Sequence, residues 1–304
     1  LYNKILQGTG RMIVPMIAQL IGAIINIILD PIFIFGWLGL PALGVKGAAI
    51  ATVIGQGAAM VFTLIYAYTR KFEINLRLKK YRFSGLCAKN IIKVGIPSTV
   101  MNAVASFTNI SLNSILKSID PQETGNAVLT AYFKLQSFVL MPAFGLNQGG
   151  MPILSYNYGA KNKKRFDHAF RILLSTALIL LICGLILFQT LPKSLIGFFN
   201  PSQRMVEIGI PALRIISLSF IPAAINIILT MTFQSIGHGF KALIMSLLRQ
   251  LILLIPLAYL FGKSMQLNGV WLAYPISEFI VTIIFFPVGI YLIRRIFNEK
   301  PQLS

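Results

Sequence analysis

The stretch NIILDPIFIF, residues 26–35, sets a carboxylate, Asp30, inside an apolar run of more than twenty residues and directly before a proline. Asn26 and Gln19 are the polar company nearby. A bare charge in such a run costs roughly 2.5–3.5 kcal/mol on insertion scales unless it is paired, hydrated or neutralised. Asn26 and Asp30 are four residues apart, so a helix carries them on one face. Pro31 has no N–H and disturbs the hydrogen-bond ladder beside Asp30, freeing carbonyl oxygen. Thr52, in the next apolar segment, can add a hydroxyl. A carboxylate, an amide and a hydroxyl in a dry, oxygen-rich pocket suit a proton or a small hard cation such as Na⁺. The plainer alternative is a protonated Asp30 that hydrogen-bonds a neighbouring helix.

Working outward, the same apolar character recurs along all 304 residues. The chain is 56% hydrophobic and 12% charged, about half the roughly 25% charged content usual in soluble domains. The pattern predicts an all-α polytopic membrane protein with eight transmembrane helices, over 12–36, 44–68, 94–117, 127–157, 168–191, 208–235, 241–262 and 268–292. The net charge of +19 does not point to nucleic acid, because the basic residues are sorted by side. Twenty of the 27 Lys and Arg fall before the first helix, in the linkers after the second and fourth, in the turn after the sixth, and in the tail; five fall on the opposite side. The turn after the sixth helix is credited with Lys241 and Arg249. By the positive-inside rule both chain ends are cytoplasmic, facing an anionic leaflet. Cys87 and Cys183 have neither metal nor redox spacing and read as small apolar fillers.

The basic linker 69–93 separates residues 1–68, with two helices, from a six-helix lobe over 94–292 and a cytoplasmic tail over 293–304. A weak internal repeat relates the two parts. LQGTG at 6–10 resembles FQSIG at 233–237, and GAAIATVIGQ at 47–56 resembles GVWLAYPISE at 269–278. The repeat pairs Gly10 with Gly237, Gly47 with Gly269 and Gln56 with Glu278. Helices one and two thus correspond to helices seven and eight, in the same orientation. If the second lobe has six helices, the first is expected to have six as well, four of them outside this chain, which starts at Leu1 rather than Met.

Other polar residues in apolar surroundings are candidates for a substrate cavity or a secondary proton site. Glu278 in YPISEF has Tyr274 four residues back on the same face; a structural hydrogen bond between helices is the alternative. Lys134 and Gln136 in YFKLQSF lie near the start of the fourth helix, where Lys134 either snorkels to the interface or lines a cavity. Asn147 and Gln148 in GLNQGG either hydrogen-bond a ligand or support a Gly-rich kink. Some of the ten Met and 22 Phe suit an adaptable apolar pocket. No P-loop, nucleophile elbow or zinc motif is present, so the sequence indicates no enzyme and any transport is secondary.

NIILDPIFIFGWLGLPALGVKGAAIATVIGQ resembles the fifth and sixth helices of multidrug and toxic compound extrusion (MATE) transporters. AYFKLQSFVLMPAFGLNQGGMPILSYNYGAKNKKR, residues 131–165, resembles that family's eighth helix and following loop. FQSIGHG and LLRQLILLIPLAYLF resemble its tenth and eleventh. The resemblance covers the whole chain. It implies twelve helices in two pseudo-symmetric six-helix lobes, of which this chain holds the fifth to twelfth. It further implies a monomer of the plasma membrane that exports drugs or other small organic compounds in exchange for H⁺ or Na⁺, with no other cofactor. The family's N-lobe cation site matches Asn26, Asp30 and Thr52; its remaining acid lies on the family's first helix, outside this chain. One branch of the family also uses acids on its seventh and tenth helices. Residues 94–117 and 208–235 contain no Asp or Glu, which favours the DinF-like branch and coupling in the N-lobe. A lipid-linked oligosaccharide flippase of the same superfamily is the runner-up, with only Lys134 and Arg214 to meet a pyrophosphate. A non-transporting membrane fragment is the third possibility.

Overall fold

The computed structural model describes residues 2–8, 13–39, 41–69 and 84–298. It divides into two compact units, Leu1–Phe83 and Ser84–Ser304. Among the described residues the secondary structure is helical throughout.

The first unit holds α1 (Tyr2–Gly8), α2 (Ile13–Phe35) and α3 (Val45–Thr69), with a 3₁₀ turn at Trp37–Gly39. α2 continues through Pro31 to Phe35, where the backbone turns back on itself. Leu43 and Gly44 donate their N–H groups to the carbonyls of Phe33 and Ile34 at 3.0 and 3.2 Å. Gly47, in the first turn of α3, lies so close to this end of α2 that a β-carbon there would meet the Phe33 carbonyl oxygen. Further along, α2 and α3 pack through small residues. Ala18 and Ala51 are fully buried, and Gly22 and Gly55 face each other backbone to backbone. In hydrocarbon there is no water to drive helices together, so close approach through small side chains is what holds such a pair.

The second unit holds α4 (Gly85–Ile119), α5 (Thr124–Gly159), α6 (Lys163–Thr190), α7 (Pro192–Gly197), α8 (Gln203–Ser217), α9 (Phe220–Ser235), α10 (Gly239–Leu247), a π-helical stretch at Leu248–Leu254, and α11 (Ile255–Asn298). α9 lies at the centre. Phe220, Ala224, Ile228, Leu229, Met231 and Phe233 are all completely buried, and the helix packs against α5, α6, α10 and α11. A helix apolar on every face is one buried on every face. An aromatic cluster of Tyr132, Phe188 and Phe220 joins α5, α6 and α9.

Among the described residues five helices are long and apolar enough to cross a membrane, six if the bent pair α8–α9 counts as one span. One of the five is the 59-residue run Gly239–Phe297, about three times what one crossing needs. Gln266 breaks it, at φ 53° and ψ −138°, close to the expected gap between helices seven and eight. Shortly after the break, Gly269 repeats the role of Gly47: a β-carbon there would meet the Phe261 carbonyl oxygen. Large apolar side chains such as Ile27, Val53, Phe138, Ile179 and Ile283 stand exposed, as lipid-facing positions do.

Several boundaries differ from the sequence expectation. α4 starts at Gly85, nine residues before the expected 94, because the Ser84 hydroxyl caps it by accepting from the Cys87 N–H; residues 85–93 are therefore helix and not linker. Residues 70–83 lie outside the described residues. Ser98, Asn102 and Ser106 lie along α4. The expected single helix 208–235 is bent by 48°. Pro222 cannot donate to Leu218, and Leu218 and Ser219 instead bond three residues back, to Ile215 and Ile216. α11 runs through Asn298, into what was expected to be tail. Cys87 and Cys183 are exposed and so are not packing fillers.

An ion pair absent from the sequence reading fastens the α4–α5 turn to α8. Arg204 Nη2 lies 2.7 Å from Asp120 Oδ1, while Asp120 Oδ2 accepts the Gly125 N–H at 2.9 Å. The Asp120 side chain is 3% exposed and that of Arg204 44%. Asp120→Ala is expected to lower the unfolding midpoint in detergent by the equivalent of about 2 kcal/mol, since it strands a buried N–H while Arg204 returns to water. The exposed pair Lys117–Glu123, at 2.7 Å with both side chains more than half exposed, provides the contrast. Lys117→Ala is expected to leave the midpoint almost unmoved.

Candidate functional site

The close approach of α2 to α3 builds the first cluster. One turn beyond Gly22, Asn26 reaches both helices. Its Nδ2 donates to Asp30 Oδ1 at 3.3 Å and to Thr52 Oγ1 at 3.4 Å. Thr52 Oγ1 in turn donates to the Ala48 carbonyl at 2.9 Å. The structure thus brings together the three residues singled out from the opening stretch, with one amide bridging carboxylate and hydroxyl. Asn26 and Asp30 are half-buried and Thr52 is exposed. A cavity of about 700 Å³ adjoins the cluster, and its polar lining includes Asn3, Gln19, Asn26, Thr52, Gln56 and Thr63.

Gly55 sets the spacing of this cluster. A β-carbon at position 55 would stand 2.6 Å from the Gly22 carbonyl oxygen, whereas one at Gly57 would meet nothing within 4 Å. Gly57→Ala should therefore stabilise the protein slightly, by roughly 0.5–1 kcal/mol, through helix propensity alone. Gly55→Ala has the same propensity gain but must push α2 off α3, so its unfolding midpoint in detergent should fall. Equal midpoints for the two variants would mean that the glycine contact is not what holds the helices together.

The second cluster lies in the other unit. Glu278 Oε1 pairs with Arg249 Nη1 at 3.1 Å. Glu278 Oε2 accepts from Asn226 Nδ2 at 2.7 Å, and Asn226 Oδ1 accepts from Thr282 Oγ1 at 3.1 Å. Asn226 is 1% exposed. Arg249 is therefore not part of a cytoplasmic turn, where counting basic residues placed it. It lies in the π-helical stretch, beyond the whole of α10, paired with an acid. Asn226 and Thr282 were not singled out from sequence either. The available signal was a lone base in LLRQLILL and a lone acid in YPISEF, on two apolar helices of one lobe: each is costly alone, so each is expected to seek the other.

The remaining candidates separate. Tyr274 is one turn from Glu278 but does not bond it. Its ring meets Tyr132 edge-on at 6.1 Å, and its buried hydroxyl has no hydrogen-bond partner among the described residues. Lys134 Nζ stands 6.0 Å from the Phe199 ring centroid, near the loop between α7 and α8, with no acid in ion-pair range among the described residues. Gln136 is half-buried and Gln148 exposed. Asn147 lines a cavity of about 320 Å³ together with Asn102, Gln234, Arg249 and Gln250.

The MatE family profile matches residues 97–260, more than half of the chain. The chain is similar to "Multidrug export protein MepA" of Staphylococcus aureus (strain N315), 30% identical over 275 residues, covering 90% of this chain and 58% of that protein. It is also similar to two solved structures, each over 98% of this chain and 66% of the other. One is described as "Crystal structure of MATE in the straight conformation", at TM-score 0.89 and 26% identity. The other is described as "Outward-facing conformation of a multidrug resistance MATE family transporter of the MOP superfamily", at TM-score 0.87 and 27% identity. The chain spans less than two thirds of the length of the curated relatives it matches.

Proposed function

The chain belongs to the MatE family, and from that premise we propose that it serves in the export of small organic compounds across the plasma membrane in exchange for H⁺ or Na⁺, with Asp30 as the coupling carboxylate. The observation that carries this reading is the Asn26–Asp30–Thr52 cluster: an acid on one apolar helix held by an amide that also bonds a hydroxyl on the next. Asp30 Oδ2 has no hydrogen-bond partner among the described residues, so the carboxyl has a free oxygen for a proton or an ion. Cation bound, the site is neutral and tolerates a dry surrounding; cation released, it demands water or another charge. Those two demands favour different packings of α2 and α3 around Pro31. Exchange follows if the substrate prefers one packing and the cation the other, since only differential affinity can couple them.

The proposal includes a monomer with both chain ends in the cytoplasm. The basic start of α6 supports that orientation: Lys164, Arg165, His168 and Arg171 line one surface cavity there with a single acid, Asp167, an excess of positive charge suited to anionic lipid. Everted vesicles holding the protein test the reading. They should accumulate a cationic dye such as ethidium when an inside-acid pH gradient or an inside-high Na⁺ gradient is imposed, and the effective gradient names the ion. Accumulation that ignores both gradients would overturn it.

A further inference from the structure

Arg249 has work beyond pairing with Glu278. One guanidinium nitrogen, Nη1, holds the carboxylate, and the others have no partner among the described residues. The side chain is 29% exposed and lines the 320 Å³ cavity between α4, α5, α9 and the π-helical stretch. No Asp or Glu lines that cavity. The side-chain amides of Asn102, Asn147 and Gln234 face it without a hydrogen bond among the described residues. Met101, Ala105, Phe144 and Met245 form its apolar wall. Glu278 is bonded to the guanidinium but is not itself among the lining groups. The pair is thus neutral overall, with its positive end turned to the cavity.

We propose that this cavity is a binding site for an organic carboxylate with a flat apolar body, with Arg249 taking the carboxylate. A guanidinium with free donors matches a carboxylate in geometry as well as in charge. The surrounding amides complete the hydrogen bonding of a group that would otherwise be stranded in a dry site, and the Met and Phe wall accepts the ring. An organic cation finds no counter-charge in the same cavity. Calling such a carboxylate a transported substrate rests on the export reading above; binding itself does not.

The test is therefore a binding measurement with no gradient, on the protein in dodecyl maltoside, with three fluorescent probes of one shape: 2-naphthoate, 2-naphthamide and 2-naphthylmethylammonium. Naphthoate should bind roughly tenfold tighter than either of the others. In R249Q/E278Q, which removes both charges together, the three affinities should fall within about twofold of one another. In E278Q, which frees the guanidinium, naphthoate should bind several-fold tighter than in the unchanged protein. Size-exclusion profiles check that the variants remain folded. If the double variant fails that check, E278Q decides, and unchanged or weaker naphthoate binding overturns the proposal. So does cation binding as tight as that of naphthoate, or a preference for naphthoate that survives in the double variant. Export without naphthoate binding would remove this site and leave the coupling at Asp30 standing; naphthoate binding without gradient-driven export would do the reverse.

Discussion

Asp30→Asn is expected to reduce gradient-driven export to background while leaving substrate binding within about twofold of the unchanged protein. The substitution keeps the shape of the side chain and an oxygen that can accept from Asn26 Nδ2, now at 3.3 Å. It removes the ability to alternate between charged and neutral. An export cycle needs the cation to prefer one packing of α2 and α3 over the other, and a side chain of fixed charge gives it no such preference; a ligand that binds both states equally shifts neither. Asp30→Glu retains the charge but adds a methylene, so it should retain part of the activity. The measurement is dye flux into everted vesicles under an imposed pH or Na⁺ gradient, with dye binding to the detergent-purified protein alongside. Undiminished flux in Asp30→Asn would make the carboxylate structural and send the search for coupling to Glu278.

Glu278→Ala should destabilise the second unit by the equivalent of about 3 kcal/mol. Removing one member of a buried ion pair leaves the other without compensation, at a typical cost of about 3–5 kcal/mol. The lower end applies here, because the Arg249 side chain is 29% exposed and Glu278 15%. The buried Asn226 amide also loses its 2.7 Å bond to the carboxylate and keeps only the Glu278 backbone carbonyl, at 3.2 Å. Arg249→Met combined with Glu278→Leu should be far milder than Glu278→Ala, since no charge is left unpaired. Unfolding midpoints in detergent for Arg249→Met, Glu278→Leu and their double form a cycle that isolates the coupling. Additive effects would mean that the two side chains do not hold each other.

The Asp30 cluster was legible in sequence because everything it needs is local. An i, i+4 spacing fixes Asn26 against Asp30, and the next apolar segment supplies Thr52. The helices themselves were legible for the same reason: composition over about twenty residues decides whether a segment suits hydrocarbon. What escaped was depth and partnership. Arg249 looks like one more cytoplasmic cation when basic residues are counted by segment, because a count does not show that the charge lies a full α10 inside the helix with an acid across from it. Tyr274 shared a helix face with Glu278 in sequence, yet the face is wide enough to send one side chain to Tyr132 and the other to Asn226. The bend at Leu218 was missed because apolar character continues through it; only the missing Pro222 donor marks the place.

The glycines at the two hairpin turns put the two halves of the sequence repeat in register. Gly47 abuts the carbonyl of Phe33, and Gly269, its partner in the sequence repeat, abuts that of Phe261, so the two phenylalanines occupy equivalent positions. From Gly10 to Phe33 is 23 positions, and from Gly237 to Phe261 is 24. In the sequence repeat the second segment is therefore one residue longer. A π-helical stretch is how a helix stores a single surplus residue without losing its ladder, and Leu248–Leu254 is such a stretch, closed by the Ile255 N–H bonding back to Gln250. From Phe33 to Gly47 is 14 positions, and from Phe261 to Gly269 only eight. The two hairpins thus differ by one residue in the helix and six in the turn, and the surplus residue of the second falls in the segment that carries Arg249.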